Sequence, residues 1–179
     1  KFDSAVITRA IRAELARGGQ VFFVHNRVES IERVAAKLRD LVPEARVTVA
    51  HGQMNAKPLE AVMLKFFRRE ADVLIASAII QSGIDVPHAN TIIVNNAHTF
   101  GLADLHQLRG RVGRGRDASH CVLLYQSPLS ASGRERLGAL RDSSDGFYIA
   151  EKDLELRGPG EVLGTRQTGL MEFRIAQLP

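Results

Sequence analysis

The chain has 179 residues, 45% of them hydrophobic, so it can form one packed domain and is not expected to be disordered. Lys and Arg number 24 against 20 Asp and Glu, which gives a net charge of +4 and a pI of about 9.6. This mildly basic balance is compatible with nucleic acid but does not establish it. The single cysteine, Cys121, excludes an internal disulfide and a cysteine metal cluster, and no apolar run approaches the ~20 residues of a membrane span.

Short apolar runs alternate with amphipathic helices from the start of the chain. In chain order the pattern predicts a helix at 5–17, a strand at 21–24, a helix at 28–42, a strand at 47–50, a helix with Pro58 in its first turn, strands at 73–76 and 91–94, a helix through Leu108 and a strand at 121–125. Strands that alternate with helices indicate an α/β domain whose parallel sheet carries helices on both faces. Because the chain starts at Lys1, without a signal-peptide layout, we expect a piece of a larger cytosolic protein.

The pattern changes after Tyr125. Ser127-Pro128 marks a boundary, and helices are predicted at 130–141 and from about 146 to 156, followed by a glycine-rich loop at 157–164. No further strand is evident in the sequence. We therefore expect two parts, a sheet domain at 1–125 and a helical hairpin with its loop at 126–179.

Polar residues follow each of the first four predicted strands, at the edge of a parallel sheet where ligands bind. They are His25-Asn26-Arg27, His51-Gly52-Gln53-Met54, Ser77 with the segment 81–85, and Asn95-Asn96. Any one of these groups alone is equally consistent with a loop former. Together they offer hydroxyls, amides, imidazoles and glycine backbone N–H groups, which bind phosphates without reading bases.

The segment 107–114 reads Gln-Leu-Arg-Gly-Arg-Val-Gly-Arg, with three arginines and two glycines in six residues. Arginine suits bidentate contact with phosphate oxygens, and glycine allows the tight turn that lets the side chains converge. A solvated charge run is the alternative. The Gln-x-x-Gly-Arg-x-Gly-Arg spacing resembles motif VI of superfamily 2 helicases and translocases, whose arginines reach the γ-phosphate of ATP across a cleft.

Other motifs of the second RecA-like domain of this superfamily are similar to the strand-end segments in order and spacing. Ser77 with Gly83 and Asp85 resembles motif V, although Gln81 stands where that motif usually carries Glu. The segment 22–26 resembles motif IV. The resemblance implies catalytic arginines at Arg111 and Arg114, nucleotide contacts at Gln107, Gly83 and Asp85, and DNA contacts at His25, Asn26, His51, Gly52 and Ser77.

The block 100–108 and the segments 153–161 and 164–169 resemble one branch of these motors, the transcription-repair coupling factors (Mfd) and the RecG helicases. That branch translocates on double-stranded DNA and shares a helical hairpin that couples ATP-driven closure to a step. The resemblance implies coupling roles for Arg136, Arg157 and Gln167; alternatively, Arg157 and Glu161 only stabilise a loop. Residues 3–60 look more like coupling factors and the chain from 118 onward more like RecG. We take the coupling factor as the first interpretation and RecG as its alternative.

Two parts of a complete ATPase are absent from the sequence. No Gly-x-x-x-x-Gly-Lys-[Ser/Thr] loop and no Asp-Glu-x-His box occur. The resemblance therefore implies that ATP and Mg²⁺ are held mainly by an N-terminal RecA-like domain absent from this chain, which alone should be inactive. It also implies as partners that domain, double-stranded or branched DNA, and RNA polymerase for a coupling factor, in the bacterial cytoplasm at the nucleoid and without a membrane.

The alternatives to a motor domain are a metal site, a nucleic-acid-binding module and a metabolite-binding enzyme. The six histidines form no ligand pair at helical spacing, so no metal site is predicted. A nucleic-acid-binding module without an ATPase partner stays open as a second hypothesis. A metabolite- or dinucleotide-binding enzyme is disfavoured, because no Gly-rich turn follows the first strand.

Overall fold

A computed structural model describes residues 2–77, 89–112 and 118–157. Five strands are present in the described ranges: β1 (Gln20–Val24), β2 (Val47–Ala50), β3 (Val73–Ala76), β4 (Ala89–Val94) and β5 (His120–Leu123). Six helices surround them: α1 (Ser4–Ala16), α2 (Val28–Leu41), α3 (Ala56–Phe67), α4 (Leu102–Arg109), α5 (Ala131–Asp142) and α6 (Gly146–Arg157). A 3₁₀ turn at Ala97–Thr99 precedes α4.

The strands form one parallel sheet in the order β2-β3-β1-β4-β5. Alternate residues of each strand point to opposite faces, so each face has its own apolar cluster. Phe23 and Ile75 pack with Ile7 of α1 and Ile31 of α2 on one face. On the other face the cluster includes Phe22, Leu74, Phe66 of α3 and Leu102 of α4. The predicted fold class, a RecA-like parallel sheet covered on both faces, is confirmed.

The predicted bounds differ from the observed ones by a few residues. The fourth strand was expected at 91–94 but begins at Ala89, because the buried Asn90 interrupts the apolar run that the sequence shows. The last strand was expected to reach residue 125 but ends at Leu123. Leu124 still bonds to Val94 O and accepts from Ala97 N, after which the chain turns away from β4.

The two C-terminal helices pack on the sheet domain through α4. Ser130 begins α5, since its hydroxyl accepts a hydrogen bond from Gly133 N. Leu137 and Leu140 of α5 and Ile149 of α6 belong to the same buried cluster as Leu102. The division at residue 125 stays a prediction, and the observed hairpin shares its core with the sheet. None of the described helices is both long and apolar enough to cross a membrane.

Candidate nucleotide and nucleic-acid interface

The strand order creates a crevice between β1 and β4. From β1 the chain runs to β2 and β3 on one side of the sheet, then crosses to β4 and β5 on the other. α2, which follows β1, and α4, which follows β4, therefore lie on opposite faces. In parallel sheets ligands bind at the carboxyl ends of the strands beside such a switch point. His25 and Asn95 stand there, each directly after its strand.

A hydrogen-bonded chain joins the two sides of this crevice. Asn95 donates from Nδ2 to Nδ1 of His25 over 3.0 Å, and His25 Nε2 contacts Ser30 Oγ at 2.7 Å. Because Nδ1 accepts, the ring hydrogen sits on Nε2 and is donated to Ser30, whose hydroxyl donates onward to Arg27 O at 3.3 Å. Burial, and secondarily the charge of Arg27, lowers the pKa of His25 below its ordinary value of 6.5.

These hydrogen bonds limit the roles that His25 can have. The residue is only 4% exposed, and both ring nitrogens are bonded within the protein. Nε2 carries the hydrogen and cannot take a proton from Ser30, so the serine and histidine do not form a nucleophile and base. The geometry favours an indirect role in which His25 positions the loop of Asn26 and Arg27, both exposed. Direct contact of His25 with DNA stays a prediction.

The ends of β2 and β3 are tied to each other. Gly52 N donates to Ser77 Oγ at 3.3 Å, and Ser77 N donates to Ala50 O. Ser77 is buried, whereas Gly52 is exposed. Since the hydroxyl accepts from Gly52, its own hydrogen remains for an acceptor such as a phosphate oxygen. His51, directly before Gly52, is half-buried, and its Nδ1 has no partner among the described residues.

The arginine motif begins on the last turn of α4. Leu105 and Leu108 are buried and leave Gln107 exposed on the opposite side of the helix. Beyond the helix, Arg111 is half-buried and Val112 is buried. No described residue accepts a hydrogen bond from the Arg111 guanidinium, which leaves it available to a ligand. Arg114 lies outside the described residues, as do Gly83 and Asp85.

Arg109, the first arginine of the motif, points into the protein instead. Its guanidinium donates to Leu140 O at 2.6 Å, to Ser143 O at 2.8 Å and to His106 Nδ1 at 3.1 Å. These carbonyls lie at the carboxyl end of α5, where a helix leaves acceptors unsatisfied. Arg109 therefore joins α4 to α5, a role the sequence did not reveal because the partner lies more than thirty residues away.

Two of the three predicted coupling residues line a small polar cavity of about 210 Å³ between α4, α5 and α6. Arg136 donates to His98 O at 3.2 Å, and its buried Nε has no partner among the described residues. Arg157 pairs with Asp153 over 3.0 Å. Both arginines line this cavity beside Gly101. Gln167 lies outside the described residues.

The described residues fit contact with a nucleotide phosphate but not the holding of a metal ion. An available guanidinium at Arg111 and an exposed amide at Gln107 are hydrogen-bond donors suited to phosphate oxygens. Within the described part of the chain no cluster of three His, Cys, Asp or Glu side chains could bind a metal. A metal that accompanies a nucleotide would need ligands from elsewhere.

Two family profiles match the chain. The one described as "Helicase conserved C-terminal domain" matches residues 4–116, and "ATP-dependent DNA helicase RecG, domain 3, C-terminal" matches residues 143–179. The transcription-repair-coupling factor of Mycobacterium tuberculosis (strain CDC 1551 / Oshkosh) is 49% identical over an alignment of 172 residues that covers 93% of this chain and 14% of that protein. The ATP-dependent DNA helicase RecG of Escherichia coli (strain K12) is 48% identical over 181 residues, covering 97% of this chain and 26% of the relative.

Solved structures show the same likeness. A structure of RecG bound to a three-way DNA junction superposes with a TM-score of 0.75 at 38% identity, covering 88% of this chain and 21% of that one. The C-terminal domain of the DEAD-box protein Dbp5, at 17% identity and a TM-score of 0.60 over 85% of this chain and 89% of its own, shares the fold. The chain thus spans only 14% to 26% of the curated relatives cited. The chain belongs to the helicase conserved C-terminal domain family, in the branch that contains the transcription-repair-coupling factors and RecG.

Proposed function

We propose that this chain is the second motor domain of an ATP-dependent double-stranded DNA translocase that acts in DNA repair. The observation that carries this proposal is the pairing of a helicase C-terminal fold with an available arginine beyond α4 and no phosphate-binding loop in the sequence. Such a domain supplies arginines to a nucleotide held by another domain. A binding module without an ATPase partner would have no need of them.

The nucleotide side of the mechanism rests on the arginine motif. When bound, ATP supplies the γ-phosphoryl group whose transfer to water provides the free energy of the cycle. Arg111 and Arg114 contact the developing negative charge on that group from this domain, and Gln107, with Gly83 and Asp85, contacts the nucleotide. In other phosphoryl-transfer enzymes such an arginine contributes roughly 10³- to 10⁵-fold in rate. ATP and Mg²⁺ are held mainly by an N-terminal RecA-like domain.

The DNA side rests on the strand ends. The Ser77 hydroxyl, the exposed turn at Gly52 with His51, and the loop of Asn26 that His25 positions are hydrogen-bond donors at one edge of the sheet. Groups of this kind bind phosphates regardless of base sequence, as movement along DNA requires. Domain closure shifts these contacts relative to the other domain, and the α5–α6 hairpin, with Arg136, Arg157 and Gln167, transmits the step.

The test is an arginine substitution in the intact protein. Arg114→Ala and Arg111→Ala should each lower DNA-stimulated ATP hydrolysis by roughly 10³-fold or more while DNA affinity stays near that of the parent. Arg9→Ala, an exposed arginine on α1, is the matched control and should leave turnover unchanged. Near-normal turnover in both motif variants would overturn the assignment. The isolated chain should hydrolyse no ATP.

A second candidate is the equivalent part of a RecG-type branch-migration helicase. The match of residues 143–179 to the RecG profile favours it, whereas the coupling-factor interpretation rests on comparable identity over 93% of the chain. The intact protein decides between them. A coupling factor should bind RNA polymerase and displace a stalled one; a RecG-type enzyme should migrate branched DNA and leave the polymerase in place. In either case the protein would act in the bacterial cytoplasm at the nucleoid.

A further inference from the structure

A groove on the lateral edge of the sheet belongs to neither proposed site. It lies between β5 and α5 and has a volume of about 730 Å³. Its floor is apolar and consists of Cys121, Leu123, Leu129, Leu137 and Leu140. Its rim carries three arginines, Arg109, Arg134 and Arg141, and none of the described residues that line it is acidic. We call it the β5–α5 groove.

The strand beside the groove has a free edge in the described part of the chain. β5 is the last strand of the sheet and pairs only with β4 there. Leu124 turns both its N–H and its C=O toward the β4 side, where they bond to Val94 O and Ala97 N. Backbone groups alternate along a strand, so those of Cys121 and Leu123 point away from β4, along the edge of the sheet that borders the groove. An open edge of this kind is a template for one more strand.

The charges of the rim select the partner. Arg134 is exposed, and no described residue accepts a hydrogen bond from its guanidinium. Among the described residues, Arg141 forms its ion pair with the exposed neighbour Asp142, a contact that a ligand carboxylate can replace at little cost. Arg109 is held by carbonyls of α5 and adds positive potential at the end of the groove. Every second side chain of an added strand would face α5, so a chain whose α5-facing residues are acidic and apolar in turn would match the arginines and the leucine floor.

We propose that the β5–α5 groove is the docking site of an extended acidic peptide from a partner protein, which adds beside β5 as a sixth strand. Main-chain hydrogen bonds to Cys121 and Leu123 supply the pairing, the leucine floor takes the apolar side chains, and Arg134 and Arg141 take the carboxylates. A nucleic acid fits less well, because its phosphates would use the rim and leave the apolar floor uncovered. This inference goes beyond the motor function and does not depend on it.

One residue of the groove allows a test that leaves the fold intact. Gly138 lies inside α5, and a Cβ built there meets nothing within 4 Å. Gly138→Leu therefore fills the groove and also favours the helix, so any loss of peptide binding cannot be assigned to unfolding. A second variant, Arg134→Glu with Arg141→Glu, reverses the rim charge. Its control, Arg9→Glu with Arg33→Glu, makes the same net change on exposed positions of α1 and α2.

The experiment measures fluorescence anisotropy of a fluorescein-labelled peptide titrated with the intact protein. The peptide consists of Glu-Thr-Val-Thr repeats, so that Glu and Val share one face of the strand, and is called the Glu-Val peptide. We expect saturable binding that weakens about tenfold or more in Gly138→Leu and in the rim reversal, and by less than about twofold in the control. The same peptide N-methylated at every amide has no N–H donor on either edge, cannot pair as a strand and should not bind.

Three outcomes would overturn the proposal. The first is absence of saturable binding by the Glu-Val peptide. The second is equal binding of the N-methylated peptide, which would exclude strand addition. The third is competitive displacement by a DNA oligonucleotide whose own binding is lost in Gly138→Leu, since that result would make the groove a nucleic-acid site. ATP takes no part in the measurement, so failure here leaves the motor function untouched.

Discussion

Asn95 donates a hydrogen bond to Nδ1 of His25 over 3.0 Å and thereby joins the end of β4 to the end of β1. The contact crosses the switch point of the sheet, where the loops that follow β1 and β4 diverge. Because the amide nitrogen can only donate, the imidazole must remain neutral to accept from it. The junction between these two strands therefore depends on the protonation state of one ring.

Acid should weaken this junction. The folded-state pKa of His25 lies below its ordinary value of 6.5, so as the pH falls the unfolded chain binds the proton first. The contribution of His25 to the free energy of unfolding is fully present above pH 6.5 and declines below it, by at most about 1.4 kcal/mol for each pH unit. Urea unfolding of the chain between about pH 7.5 and pH 5.5 measures the decline, and His25→Gln should remove this component.

Asn95→Asp serves as the opposite control. A carboxylate beside His25 raises the folded pKa above the ordinary value, so the contribution of this histidine should grow as the pH falls toward 6.5. An identical pH slope in the parent, His25→Gln and Asn95→Asp would show that His25 does not govern the pH dependence.

Arg109 should matter for the hairpin more than its exposed neighbours do. Arg109→Lys can no longer bond the carbonyls of Leu140 and Ser143 together, and loss of these partly buried contacts should cost about 1–3 kcal/mol. Hydrogen exchange should accelerate in the last turn of α5. Arg141→Lys, at an exposed ion pair, should change the free energy of unfolding by less than about 0.5 kcal/mol. Equal losses in the two variants would refute the capping role.

The neighbouring Glu14 carboxylate leaves no room for a side chain at Gly19. A Cβ at this position would lie 1.7 Å from Glu14 Oε1, and the carboxylate cannot withdraw because Arg17 and Thr91 bond its other oxygen. Gly19→Ala should therefore destabilise the fold by about 1–3 kcal/mol. Gly138→Ala, in open space on a helix, should stabilise it by about 0.5–1 kcal/mol. Thermal unfolding of both variants measures the contrast; a harmless Gly19→Ala would contradict the packing described.

Cys121 should react slowly while the protein is folded. Burial raises the pKa of its thiol from 9.0 to about 11, although Arg109 opposes the shift. Because the pKa is about two units higher in the folded protein, about a hundredfold less thiolate is present near pH 8 than in the unfolded chain. Reaction with a thiol-exchange reagent should be slower by about that factor in the folded state and should recover in urea. A native rate equal to the denatured one would refute the shift.

Much of the fold could be predicted because buried parallel strands appear as short continuous apolar runs. The runs at 47–50 and 73–76 coincide with β2 and β3, and Pro58 lies in the first turn of α3 as expected. Asn90 shows the limit of this signal, since a polar residue buried inside a strand breaks the run. The strand order is also beyond local pattern, because it depends on pairing between segments distant in the chain.

The candidate site was predictable as a set of positions but not as a set of contacts. His25 and Asn95 both follow strands, yet only the neighbouring position of β1 and β4 brings their side chains together. Arg109 and Arg111 are two residues apart in one basic motif, and nothing local separates their roles. The end of α5, remote in sequence, accepts hydrogen bonds from Arg109, whereas no described residue accepts one from the side chain of Arg111.

The common core of α4, α5 and α6 limits where segments can be exchanged between related chains. Leu102, Leu137 and Ile149 pack in one cluster, and Arg109 crosses from the first of these helices to the second. A chimaera that exchanged only the segment after residue 126 between two relatives would mismatch this cluster. The portable block, in laboratory recombination as in evolution, would have to begin upstream of α4 and carry the arginine motif together with the α5–α6 hairpin.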